Sequence, residues 1–193
     1  MTLAGLMASA PAVLKTRGAA LAAVAALQLG ALGYMVADRV RLVKTGREII
    51  LPIIPVDPRD LFKGDYVQLR FPISNIAPAA QGNDLLAVAK IAFITLEQQA
   101  DESWSPVQVT ASYPAKVAAN QIVLRARPTP GWGARNVRYG IERYYVQEGK
   151  GGDLEKLARE KKLAAIVAVD SRGNAAIKGL SSDGKRVYDE PLF

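Results

Sequence analysis

Between Gly18 and Ala37 the chain reads GAALAAVAALQLGALGYMVA, a run with no charge and with Gln28 as its one strongly polar side chain. At about 1.5 Å per residue, a helix of this length matches the roughly 30 Å hydrocarbon core of a bilayer. Lys15 and Arg17 close one end, and Asp38, Arg39, Arg41 and Lys44 close the other. The pattern predicts a single transmembrane helix. A cleaved secretory signal and the buried helix of a soluble protein fit parts of the same pattern. A signal's apolar region is normally about 7–15 residues before a small-x-small cleavage site, so the longer run here favours an uncleaved anchor. Basic residues flank both ends, with Arg47 joining the cluster after the span. Charge counting therefore orients the helix only weakly, because long domains translocate largely regardless of flanking charge. The expectation is a signal-anchor with the C-terminal domain outside the cytoplasm.

Past the span the hydrophobic period changes. A helical extension through Asp38–Thr45 is expected to stop at Gly46, a residue suited to a helix C-terminus. From Glu48 the run EIILPIIP is rich in β-branched residues, and Pro52 and Pro55 mark it as an edge strand, since proline cannot donate to a ladder. Asp57 to Asp65 reads as one helical turn with Asp57 as cap, Pro58 in its first position and Gly64 at its end. The next stretch, Tyr66 to Ser74, alternates: Val67, Leu69, Phe71 and Ile73 point one way, Tyr66, Gln68 and Arg70 the other. Further strands are expected at Leu86–Gln98, Val107–Tyr113, Ile122–Arg127 and Val137–Val146, in the outline of a β-meander. One amphipathic helix is expected at Asp153–Lys162, with Leu154, Leu157 and Ala158 forming its apolar stripe. The strands Ala164–Asp170 and Ala175–Leu180 then flank Ser171-Arg172-Gly173-Asn174, a hairpin turn. A last short strand around Arg186–Tyr188 follows Asp183-Gly184.

These elements divide the chain into an N-terminal tail (1–17), the span (18–37), a juxtamembrane connector (38–47) and an extramembrane domain (48–193). The fold class is mainly β within α+β: one membrane helix, then an antiparallel β-rich domain, a small barrel or sandwich, carrying one amphipathic helix. At 193 residues one core is the expectation.

Composition narrows the chemistry. The chain has no cysteine and no histidine. Thiolate nucleophiles, disulfides and Cys-ligated metals are excluded, and the usual general base and commonest transition-metal ligand are missing. The net charge of +7 is spread out apart from the juxtamembrane cluster and the pairs Lys161-Lys162 and Lys185-Arg186. No basic stripe or nucleic-acid module stands out, so nucleic acid is not an expected partner. Attraction of Arg39, Arg41, Lys44 and Arg47 to anionic headgroups is a more natural use of that cluster. Trp104 and Trp132 lie among turn residues, placed either to anchor the domain near headgroups or to cap the ends of the β structure.

One motif carries a resemblance. Gly64-Asp65-Tyr66-Val67-Gln68-Leu69-Arg70-Phe71 resembles the signature of the bacterial membrane-anchored family named for its GDYxxLxY motif. Upstream Pro55-Val56-Asp57-Pro58-Arg59-Asp60-Leu61 and downstream Tyr139-Gly140-Ile141-Glu142-Arg143-Tyr144-Tyr145-Val146 are similar to that family too. The motif's last aromatic, usually Tyr, is Phe71 here, which favours packing over hydroxyl chemistry at that position. The resemblance implies a membrane-anchored protein of uncharacterised biochemical function, often associated with polytopic membrane proteins, and supplies no reaction.

The residues themselves leave two surfaces to consider. One is the turn holding Asp57, Arg59, Asp60, Gly64, Asp65 and Tyr66, continued by Leu69 and Phe71. Its carboxylates either accept backbone N–H bonds in the turn or form a polar contact surface. The other is Tyr139, Glu142, Arg143 and Tyr144, where tyrosine and arginine offer large areas with polar ends, or where tyrosines line the core and charges line a solvated edge. The spacing Asp57-Pro58-Arg59-Asp60 is not that of a calcium loop, which needs alternating Asp/Asn and a distal Glu. A Ser74/Lys90 pair would suit a membrane-tethered Ser/Lys hydrolase, but no serine occurs between Ala10 and Ser74, where such a nucleophile belongs. No catalytic residue, cofactor or metal is therefore expected. The reading is a non-catalytic accessory protein in the bacterial inner membrane, in contact with lipid and with a membrane-protein partner. Ala19, Ala23, Ala26 and Gly30 form a strip of small residues for close helix approach. The alternative is a membrane-tethered envelope enzyme using Asp57, Asp60, Asp65 and Glu142 as acids or bases.

Overall fold

The computed structural model describes residues 12–54, 66–129, 135–145, 157, 160, 162–182 and 184–189. Helix α1 runs from Ala12 to Thr45, and the chain separates into a unit ending at Val40 and a second unit from Arg41 onward. Gly18–Thr45 has a mean hydropathy of 1.8, and Leu21, Val24, Leu27, Leu29, Leu32 and Met35 are all exposed. Among the described residues none covers these side chains. A helix apolar all round is at home in lipid; a signal sequence passes the same test of length and composition.

In the second unit α1 ends where its sequence predicts. The Gly46 N–H donates to the Leu42 carbonyl at 2.9 Å, and a Cβ at Gly46 would sit 2.6 Å from that oxygen and 2.9 Å from the Val169 nitrogen. Only glycine permits this approach. Leu42 and Val43 pack on Ala176 as a small buried cluster.

The strands are β1 (Arg47–Pro52), β2 (Tyr66–Gln68), β3 (Ala92–Gln98), β4 (Trp104–Thr110), β5 (Gln121–Pro128), β6 (Val137–Arg138), β7 (Arg143–Tyr145), β8 (Leu163–Val169), β9 (Ala175–Ser182) and β10 (Lys185–Asp189). Among the described residues they form two four-stranded sheets, ordered β1-β8-β9-β10 and β4-β3-β5-β6, and a two-stranded ribbon β2-β7. Every strand pair is antiparallel. The β-rich class expected from the sequence is what folds, as open sheets and not as a closed barrel.

Strand β1 is an edge, as its prolines require, with Ile49, Leu51 and Ile53 turned into the core. Besides the β2-β7 ribbon, the pairing departs from a simple meander in two places. Strand β1 pairs with β8, far along the chain, and β5 crosses to the side of β3 opposite β4. Burial decides both, because β8 and β3 are the apolar runs that need neighbours on each edge. The turn between β8 and β9 is built around Asp170, whose carboxylate accepts the backbone N–H groups of Arg172 at 2.9 Å and Asn174 at 2.8 Å. Gly173 takes φ +82° there. Its carbonyl accepts the Arg125 N–H at 2.7 Å, which seats the hairpin tip of the first sheet on β5 of the second. One hydrophobic core, including Leu51, Phe71, Leu96, Leu124 and Leu180, runs through both sheets.

Three predicted strands are shorter than their patterns. Asn83–Ala87 is a 3-10 turn, so the strand expected from Leu86 starts at Ala92. Tyr66–Ser74 is a strand only to Gln68; Arg70 bridges Ile54, and Pro72 starts a 3-10 turn ending at Ser74. Val137–Val146 is broken by a turn at Gly140, φ +85°. Of the predicted amphipathic helix, Leu157 is helical and packs on the core, while most of the segment lies outside the described residues.

Candidate functional site

Segment Tyr66–Ile76, which opens with the described part of the motif, Tyr66–Phe71, lies between two parts of the chain. On one side the Ile54 N–H donates to the Arg70 carbonyl at 2.8 Å. On the other, β2 pairs with β7 (Tyr66 opposite Tyr145, Gln68 opposite Arg143), the Leu69 N–H donates to Glu142 O at 2.8 Å, and the Ile76 N–H donates to Arg135 O at 2.9 Å. The two candidate surfaces are thus hydrogen-bonded to each other along their backbones. Asp57, Arg59, Asp60, Gly64 and Asp65 lie outside the described residues.

Leu69, Phe71 and Ile73 are all buried, so the alternation read from the sequence persists after the strand itself has ended. Phe71 stands in the core, a place where an aromatic ring packs and a hydroxyl would need a partner. Tyr139 is buried too, and its hydroxyl donates to the Ile73 carbonyl at 2.6 Å. Burial, helped by the nearby Glu142 charge, pushes this phenol well above the usual tyrosine pKa, so it serves as a hydrogen-bond donor and not as a phenolate base.

Glu142 is occupied. Its two carboxylate oxygens accept the backbone N–H of Tyr139 at 2.6 Å and of Gly140 at 3.0 Å. These charge-assisted bonds fix the turn that ends β6 and presents Glu142 O to Leu69. Tyr144 is buried, its ring meeting Tyr188 of β10 edge-on at 5.7 Å. Of the residues in this strand singled out from sequence, Arg143 alone is exposed. Glu142 therefore has the surroundings of a structural carboxylate, not of an acid waiting for substrate. Ser74 Oγ is buried and makes no hydrogen bond among the described residues, which gives it neither a base nor access to substrate. Among the described residues no group of three His, Cys, Asp or Glu gathers to hold a metal.

The model of the GDYXXLXY protein family matches residues 28–180. The chain belongs to this family. No curated protein and no solved structure matches it. In this GDYXXLXY protein, Tyr139 and Tyr144 are thus internal architecture.

Sequence reasoning placed one further residue differently from the structure. Arg47, grouped with the headgroup-facing cluster, turns back onto the domain. Its guanidinium donates to Gln121 O at 2.8 Å and Ala119 O at 3.0 Å, and stands 5.7 Å from the Trp104 ring centre. Trp104, the first residue of β4, is buried at that strand's end, a place compatible with the capping role the sequence offered as an alternative. Sequence reasoning also missed Arg125 and Arg127 as a surface. Their alternation in β5 puts both on the solvent side, and register adds Arg138 opposite Arg127. The alternation was readable, but the third arginine depends on pairing with a distant strand.

Proposed function

We propose that this chain is a non-catalytic accessory protein, held in the bacterial inner membrane by an uncleaved signal-anchor helix, whose β-rich domain lies outside the cytoplasm and contacts a polytopic membrane protein. The observation that carries the reading is the uncovered apolar helix, exposed along its length between Gly18 and Ala37. Lipid satisfies most of such a surface. The strip Ala19, Ala23, Ala26 and Gly30 leaves room for a second helix, and an added Cβ at Gly30 would meet nothing within 4 Å. Family membership supports the reading through the association with polytopic membrane proteins that the motif implies. The enzyme alternative is less well supported, since Glu142, the one described member of its acid set, is bound to two backbone N–H groups.

The test is co-purification of the full-length protein in mild detergent beside Arg143→Ala and Asp65→Asn, with circular dichroism to establish that each variant is folded. A specific membrane protein retained by the unmutated chain and lost from a folded variant is the expected result. Absence of any membrane partner from the unmutated chain overturns the accessory role.

A further inference from the structure

The outer face of β5 and β6 carries an uncompensated cationic surface. Arg125 and Arg127 are two residues apart on β5, so they share a face; both are exposed. Arg127 stands directly opposite Arg138 in the β5–β6 ladder, and Arg138 is exposed as well. Like charges directly opposite on an antiparallel pair destabilise it. Among the described residues none of these three guanidinium groups has a carboxylate partner. The turn whose Gly173 carbonyl accepts the Arg125 N–H carries Asp170, but that carboxylate is taken up by Arg172 and Asn174. Beside the arginines, Phe93 pairs across the strand with Arg125 and meets Tyr113 edge-on at 5.9 Å.

We propose that Arg125, Arg127 and Arg138 form a recognition face for a carboxylate-rich segment of a protein partner, an inference that rests on the accessory reading above and names the chemistry of its contact. Guanidinium forks match carboxylates two bonds at a time, and the Phe93–Tyr113 pair offers an apolar border suited to the side chains between the acids. Phosphate, the other oxyanion that a guanidinium fork fits, is set against the carboxylate in the test.

The test uses full-length protein in a neutral detergent and a fluorescent decaglutamate peptide, with inorganic polyphosphate and oligothymidylate as comparison ligands. Arg127→Glu puts opposite charges across the ladder. The expected result is at least a tenfold loss of decaglutamate affinity together with a thermal midpoint that holds or rises by about 1–2 °C. Lys185→Glu, the same charge change on exposed β10, is expected to alter affinity less than threefold. Equal losses in both variants reduce the binding to net charge and overturn the proposal, as does tighter binding of polyphosphate or oligothymidylate, or unchanged binding in Arg127→Glu. If decaglutamate binds as expected but no membrane protein co-purifies, the accessory role falls and the acid-binding face stands. If a partner co-purifies equally with Arg127→Glu, the face is not its contact.

Discussion

The outer faces of the two four-stranded sheets handle charge in opposite ways. On the β1-β8-β9-β10 sheet, Glu48 stands opposite small Ala168 and bonds both Lys178 and Arg186 at 3.1 Å or closer, so that the two cations share a carboxylate of their own sheet. On the β4-β3-β5-β6 sheet, three exposed arginines gather with no carboxylate partner among the described residues. The same contrast separates Glu142 and Asp170, whose charges are absorbed by backbone N–H groups a few residues away, from the arginines of β5 and β6. Charges used by the fold have their partners within it, and the proposed recognition face is built from three that do not.

The junction that holds the two faces together offers the largest effect. Gly173 combines φ +82° with a close approach, since an added Cβ would lie 3.1 Å from Arg125 N and 3.2 Å from Val123 O. Gly173→Ala is expected to destabilise the domain by about 2 kcal/mol, read by thermal or chemical unfolding. An unchanged midpoint would show that the hairpin tip does not tie the sheets. Glu142→Gln is next. It keeps the shape but offers one acceptor oxygen to two N–H groups, a loss of about 1–2 kcal/mol. Were the protein instead to keep its stability and lose an activity, Glu142 would belong to a reaction.

Acid should separate the internally paired charges from the rest by the smallest margin. Burial raises the Asp170 pKa, but hydrogen bonds from Asn174 and Arg172 outweigh it, leaving the group below its ordinary 3.8. The Lys178 hydrogen bond, with Lys178 and Arg186 charge, holds Glu48 below its ordinary 4.5. A depressed carboxyl contributes stability above its unfolded pKa and loses it as pH falls through the folded value. The thermal midpoint is therefore expected to fall as pH drops below 4.5 and then 3.8. A Glu48→Gln, Asp170→Asn double variant should show a flatter pH profile, and an equally steep one would place the acid sensitivity elsewhere. The contribution of half-exposed Glu48 is small, since solvent screens its pairs.

Much of the fold was legible locally. The apolar run of α1, its stop at Gly46, the edge character of β1 and the Asp170–Asn174 hairpin all follow from period, proline placement and turn chemistry within short windows. So did the buried set Leu69, Phe71 and Ile73. The strands that came out short failed where local chemistry overrode alternation: Pro72 starts a 3-10 turn, and Gly140 with the Glu142 carboxylate folds the chain back.

The sequence by itself therefore determined the apolar helix, the β class, the absence of thiol and imidazole chemistry, and the inward side of most strands, because each depends on neighbours within a few residues. Tertiary structure alone decided which charges remain unpaired. It turned Arg47 onto Trp104, buried Tyr139 and Tyr144, closed Glu142 on backbone N–H groups, and set Arg127 opposite Arg138. These outcomes depend on strand register between distant segments or on how the chain closes on itself in space. Register is set by burying the apolar face of the whole domain, which a short window of residues does not contain.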